Sequence, residues 1–96
     1  MNYLQALAER IRGQVEPSLV PEDAGSLFLM YAVLALVKGT AVGGADVHDA
    51  WGAWMTMRGE GDHAAVRPFR QLPARVQAAD DPFVQAIRAV AKDLDT

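Results

Sequence analysis

Three groups of residues in this chain have the types and spacing for chemistry. The first is the doublet His48-Asp49, with His63 following after an intervening loop. Metal phosphohydrolases use such a doublet, but they need further His and Asp ligands in a set order, and no H-x3-H type spacing is present. The ordinary expectation for His48 is therefore a helix-surface or half-buried histidine making one hydrogen bond, and no metal or cofactor is expected. The second group is Trp51 and Trp54, followed by Arg58, Arg67 and Arg70. An indole can stack on a flat group, and guanidinium forks match phosphate and carboxylate. The third is Asp80-Asp81. Adjacent carboxylates diverge, which suits helix capping better than paired acid–base work. The stretch Gly39 to Gly44 lacks the preceding strand and the Gly-Lys-Ser/Thr ending of a phosphate loop, so it reads as a linker between helices.

Charge singles out the second group. The whole chain has 9 basic and 12 acidic residues, a formal net charge of −3. That balance argues against general nucleic-acid binding. Within it, positions 58–75 hold Arg58, Arg67, Arg70 and Arg75 against only Glu60 and Asp62, a local surplus of positive charge beside a Trp-rich helix.

These residues must be held by a small scaffold. A chain of 96 residues makes one domain, and the absence of cysteine removes disulfides, thiolate zinc sites and a cysteine nucleophile. The uninterrupted apolar run from Leu27 to Val37 is short of the roughly 20 residues of a bilayer span. With no signal-peptide core at the N-terminus, the expectation is a soluble cytoplasmic protein. Ala 17 and Arg 7 against Lys 2, Ile 2 and Asn 1 suit a GC-rich genome, such as that of an actinobacterium or one of its phages.

Apolar spacing predicts helices throughout. Leu4, Leu7, Ala8, Ile11 and Val15 form the stripe of an amphipathic helix over 2–15, ended by Gly13 and Pro17. A second helix is expected from Pro21 to Lys38 with a left-handed cap at Gly39. Apolar on every face, it reads as a central helix buried all round. These two form an N-terminal pair over 1–38. A third helix over 45–58 places Val47, Ala50, Trp51, Trp54 and Met55 on one face, with His48, Gly52 and Thr56 off it. A loop through Pro68 and Phe69 leads to a short helical piece opened by Pro73, and Asp81-Pro82 starts the last helix. The expected fold is all-α: a single-domain bundle of four main helices with a Pro-anchored loop between the third and last.

From His48 onward the chain resembles the ryanodine-receptor repeat domain, which has small stand-alone members in bacteria and phages. The residues that carry the resemblance are Val47 to Trp51 with Trp54 and Arg58-Gly59, then His63 to Pro73, then Asp80, Val84 and Ile87. The similar segment is 46–94. The resemblance implies that Trp51, Pro68, Phe69, Leu72 and Asp80 are structural, pinning the loop to the helix pair. It also implies an accessory module without enzyme activity, with prokaryotic members acting as sensing or ligand-binding modules for nucleotide-derived signals.

Residues and resemblance together give the expectation of a non-enzymatic binding module. A small anionic ligand or an acidic partner surface would be met by Trp54, Arg58, His63, Arg67 and Arg70. The indole would stack, the arginines would neutralise charge and His63 would donate a hydrogen bond. The alternative is a structural protein that forms homodimers through an apolar helix face, because Leu27, Phe28, Met30 and Tyr31 crowd a small core.

Overall fold

The first helix forms because its N-terminal amides are answered locally. In the computed structural model, which describes residues 1–94, Asn2 Oδ1 accepts the Gln5 N–H at 2.9 Å and Gln5 Oε1 accepts the Asn2 N–H at 2.8 Å. This capping box opens α1 (Tyr3–Gly13), which buries Leu7, Ala8 and Ile11. Pro17 then opens a three-residue helical turn, Pro17–Leu19, and Val15 is buried just before it.

The second helix, α2 (Gly25–Val37), starts four residues later than its Pro21-Glu22-Asp23 signal predicts. Asp23 is the reason: it lies in the left-handed region at φ 55, a conformation that aspartate tolerates and that a right-handed helix cannot include. At the other end Gly39 takes φ 57, as the predicted cap requires. The helix is central but not buried all round. Leu27, Phe28, Tyr31, Ala32 and Ala35 face the core, whereas Leu29, Val33, Leu36 and Val37 are exposed, Val37 at 75%. The apolar surplus is real, but it lies on these residues; Leu27, Phe28 and Tyr31 all fit inside and Met30 is half-buried. Among the described residues no element covers this outer face of α2.

A second short turn, Gly39–Ala41, leads to fully buried Val42 and then to α3 (Gly44–Met57). Asp46 Oδ2 accepts the Gly43 N–H at 2.9 Å and Asp46 Oδ1 meets Lys38 Nζ at 3.3 Å, tying the end of α2 to the start of α3. After the crossover, α4 (Ala74–Gln77) and the turn Ala78–Asp80 lead into α5 (Asp81–Leu94). Arg88 Nε on α5 donates to the Val42 carbonyl at 2.8 Å.

The long helices α1, α2, α3 and α5 make an all-α single domain, with no strand among the described residues and no helix there long and apolar enough to cross a membrane. Helix α2 touches α1, α3 and α5. Its Phe28 and Tyr31 meet edge to face at 5.2 Å, and Phe83 of α5 closes the cluster at 5.7 Å from Tyr31. Each of the fully buried Ile11, Leu27, Val47 and Ile87 contributes about 1.5–3 kcal/mol by leaving water.

Candidate functional site

Helical spacing gives α3 two buried edges. Val47 and Trp54 lie one heptad apart on one edge. On the other, Gly44, His48, Trp51 and Met55 follow at steps of four, three and four, and the crossover between α3 and α4 packs against them. Phe69 seats on Gly44: a Cβ at Gly44 would sit 2.6 Å from Phe69 Cζ, so only glycine admits the ring. One turn on, His48 lies between two rings, 6.0 Å from Phe69 and 5.6 Å from Trp51. Beyond Trp51 comes His63 of the crossover, edge-on at 5.6 Å.

The crossover is fixed by hydrogen bonds to groups that the sequence supplies nearby. His63 Nδ1 accepts the Ala65 N–H at 3.0 Å. Pro68 precedes a helical turn, Phe69–Gln71, and Leu72 is buried. Gln77 Nε2 of α4 donates to the carbonyls of Phe69 at 2.9 Å and Leu72 at 3.1 Å. His48 Nε2 donates to the Arg67 carbonyl at 2.6 Å. A carbonyl can only accept, so this contact places a proton on Nε2 and leaves Nδ1 facing Asp80 Oδ2 at 3.8 Å.

Asp80 therefore does not cap α5; its carboxyl turns toward His48. A separation of 3.8 Å is too long for a hydrogen bond, and among the described residues no N–H or O–H donates to this carboxyl. Its pKa is raised to about 6, first by burial, with the neighbouring Asp81 charge adding to the rise and His48 opposing it. Tyr31 lines the same hollow as Asp80. Burial, and secondarily Asp80, push its phenol well above the ordinary tyrosine value, so it stays a neutral hydroxyl.

These groups line one hollow of about 260 Å³. Leu27, Trp51, Val76 and Phe83 supply apolar wall, Leu19 and Pro21 contribute from the segment before α2, and Tyr31, His48, His63 and Asp80 supply polar atoms. The arrangement can sequester a small apolar body and exchange hydrogen bonds with one polar end.

The residues predicted to bind are divided by the fold. His63 lies in this hollow. Trp54 does not: it is 3% exposed, with the Arg58 guanidinium 4.2 Å over its ring. Arg58 Nε also pairs with Glu60 at 3.1 Å, and both Trp54 and Arg58 border a separate shallow hollow with Asp23, Ser26 and Met57. Trp54 is thus the deeper indole, and Trp51 is the half-buried one that borders the hollow. Arg67 takes part through its carbonyl, while its side chain and that of Arg70 are exposed and pair with no carboxylate among the described residues. His48 is buried at 5% exposure, deeper than the helix-surface or half-buried place expected of it, and it was not among the expected binding residues. The i, i+3, i+7 series His48, Trp51, Met55 was the signal that could have placed it. Asp49 points to solvent, and no group of three or more His, Asp or Glu suited to a metal occurs among the described residues.

Residues 2–92 match the family model described as Domain of unknown function (DUF7701). This match overturns the resemblance to the ryanodine-receptor repeat, which left out the N-terminal pair. Of the residues that suggested it, Trp51 and Phe69 pack on His48 and Leu72 is buried, whereas Pro68 and Pro73 are exposed. Comparison with curated proteins and with solved structures gives no match.

Proposed function

We propose that this chain, which belongs to the DUF7701 family, is a non-enzymatic binding module that takes a small ligand into the hollow between Trp51, His48, Asp80 and Phe83. The observation that carries the reading is the Asp80 carboxyl. It is held inside an aromatic-walled hollow with acceptor capacity that no described residue uses. A carboxyl partly withdrawn from water, with no donor among the described residues, costs folding free energy, and a ligand donor offsets part of that cost on binding. The proposal keeps the binding-module expectation and moves its centre from the arginines to this pocket, sharing His63 with the earlier set.

The chain's own indoles provide the test. A small-fragment panel followed by proton–nitrogen correlation spectra is expected to move the Trp51 indole N–H signal while leaving that of Trp54 in place. A panel that leaves the Trp51 signal unmoved, or moves only that of Trp54, overturns the proposal.

A second reading, self-association of a structural protein, is favoured by the exposed stripe Leu29, Val33, Leu36 and Val37. The stripe carries no charge between Ser26 and Lys38, so two copies could lay it face to face about a two-fold axis. Sedimentation is expected to show a dimer that Val33→Asp splits; a monomer at high concentration removes this reading.

A further inference from the structure

We infer that the ligand of this pocket carries a protonated amine, seated on the Asp80 carboxylate with its carbon framework against Trp51 and Phe83. The inference rests on the binding-module reading above and specifies its ligand.

Three features point to that chemistry. First, no N–H or O–H among the described residues donates to the Asp80 carboxyl. Its side chain is 15% exposed, and its nearest positive partner, His48, stands off at 3.8 Å. The His48 ring cannot turn to come closer without giving up the Arg67 carbonyl. An ammonium group brings donors as well as charge, and charge-assisted hydrogen bonds are the strong ones. Second, the wall is aromatic where a cation would rest: Trp51, Tyr31 and Phe83 all line the hollow, and ring faces attract cations, indole most. Third, no lysine or arginine is among the described residues that line it. A carboxylate or phosphate would enter against Asp80 with only histidines to receive it, and like charges at close range in a poorly solvated site repel.

The size limits the ligand further. At about 260 Å³ the hollow lies below the roughly 300–1,000 Å³ of drug-sized sites, which fits a single ring with a short amine arm. The titratable groups that act on Asp80 are Tyr31 on α2, His48 on α3 and Asp81 at the head of α5, and His63 of the crossover lines the same hollow. Only His48 and His63 can add positive charge there. Acidification protonates Asp80 and removes the attraction that draws the amine, while an alkylammonium stays charged throughout.

Three isosteric probes test this: phenethylamine, 2-phenylethanol and phenylacetate, titrated while following the Trp51 indole signal at about pH 7.5. The amine is expected to bind about tenfold or more tightly than the alcohol, and the acid most weakly. Asp80→Asn is expected to bring the amine and the alcohol within about threefold of each other. As a check that needs no variant, the preference should fade in the unaltered protein between about pH 7.5 and about pH 5. Alcohol or acid binding as tightly as the amine overturns the inference and leaves the binding module standing, as does a preference that survives both Asp80→Asn and acidification. Silence from all three probes also overturns it. Silence extended to the wider fragment panel takes the binding-module reading with it.

Discussion

His48 and Arg67 are joined across 19 positions of chain by an imidazole N–H held 2.6 Å from a backbone carbonyl. The bond does two things. It satisfies a peptide group of the crossover that no helix or strand serves, and it fixes which histidine nitrogen faces Asp80. The pocket wall and the proton placement inside it therefore depend on one contact. The Nδ1 side is then complementary to Asp80 in either of two ways: an imidazolium beside a carboxylate, or a bare nitrogen beside a protonated acid.

Replacing His48 with Ala is expected to leave the Arg67 carbonyl without its donor and to open space between Trp51 and Phe69. The expected loss is about 1–3 kcal/mol, from the unmade bond alone. Urea unfolding should show a lower midpoint with an unchanged slope, and faster amide exchange confined first to the crossover. An unchanged midpoint would mean that the contact carries no stability.

Gly44→Ala is expected to destabilise, although alanine favours helices. The new methyl would sit 2.6 Å from Phe69 Cζ, and overpacking of this kind costs about 1–3 kcal/mol. In a Phe69→Ala background the same change should become neutral or stabilising, because helix propensity is then the remaining effect. A double-mutant cycle measures this, and simple additivity would contradict the seating of Phe69 on α3.

Acid should help Asp80. Its folded pKa, about 6, lies above the ordinary carboxyl value of 3.8, so the folded state takes up its proton first. Between those values the native chain binds more protons at this group than the unfolded chain does, and stability from this group rises as pH falls. Asp80→Asn should accordingly be the more stable protein at neutral pH, by about 1–3 kcal/mol, and the gap should shrink toward pH 4. Urea midpoints of the two proteins across that range decide it. A gap that grows on acidification would mean that the folded state holds the Asp80 proton less tightly than the unfolded chain does.

Arg58→Ala is expected to uncover Trp54. The guanidinium now lies 4.2 Å over the indole and pairs with Glu60, at a side chain 37% exposed. Loss of the stacked cation costs about 0.5–1 kcal/mol at such a site. Measured with Trp51→Phe to leave a single emitter, the fluorescence should shift to longer wavelength. No shift would mean that α2 and α3 alone shield the ring.

The main helices were legible because local chemistry and apolar spacing agree along them. The Asn2 to Ile11 stripe, Gly39, Asp81-Pro82 and Pro73 all mark ends that the fold uses. The start of α2 was not legible, because Pro21 and two acids announce a helix that the left-handed Asp23 then delays. Its outward stripe was hidden for another reason: an all-apolar helix gives no periodicity from which to tell which side meets water. For α3 the period was clear but the apolar arc was too wide, so spacing alone could not say whether Trp51 or Trp54 lay deeper. Arg58, one turn beyond Trp54, was the local sign that this indole would be covered. Asp80 was beyond reach, since its role comes from the meeting of the segment before α5 with His48 of α3, which is a tertiary event.

Gln77 spends both hydrogens of its amide nitrogen on the Phe69 and Leu72 carbonyls. Hydrolytic deamidation would turn that double donor into a carboxylate set against two carbonyl oxygens. The chemical ageing of one side chain would thus loosen the crossover at the turn that carries Phe69.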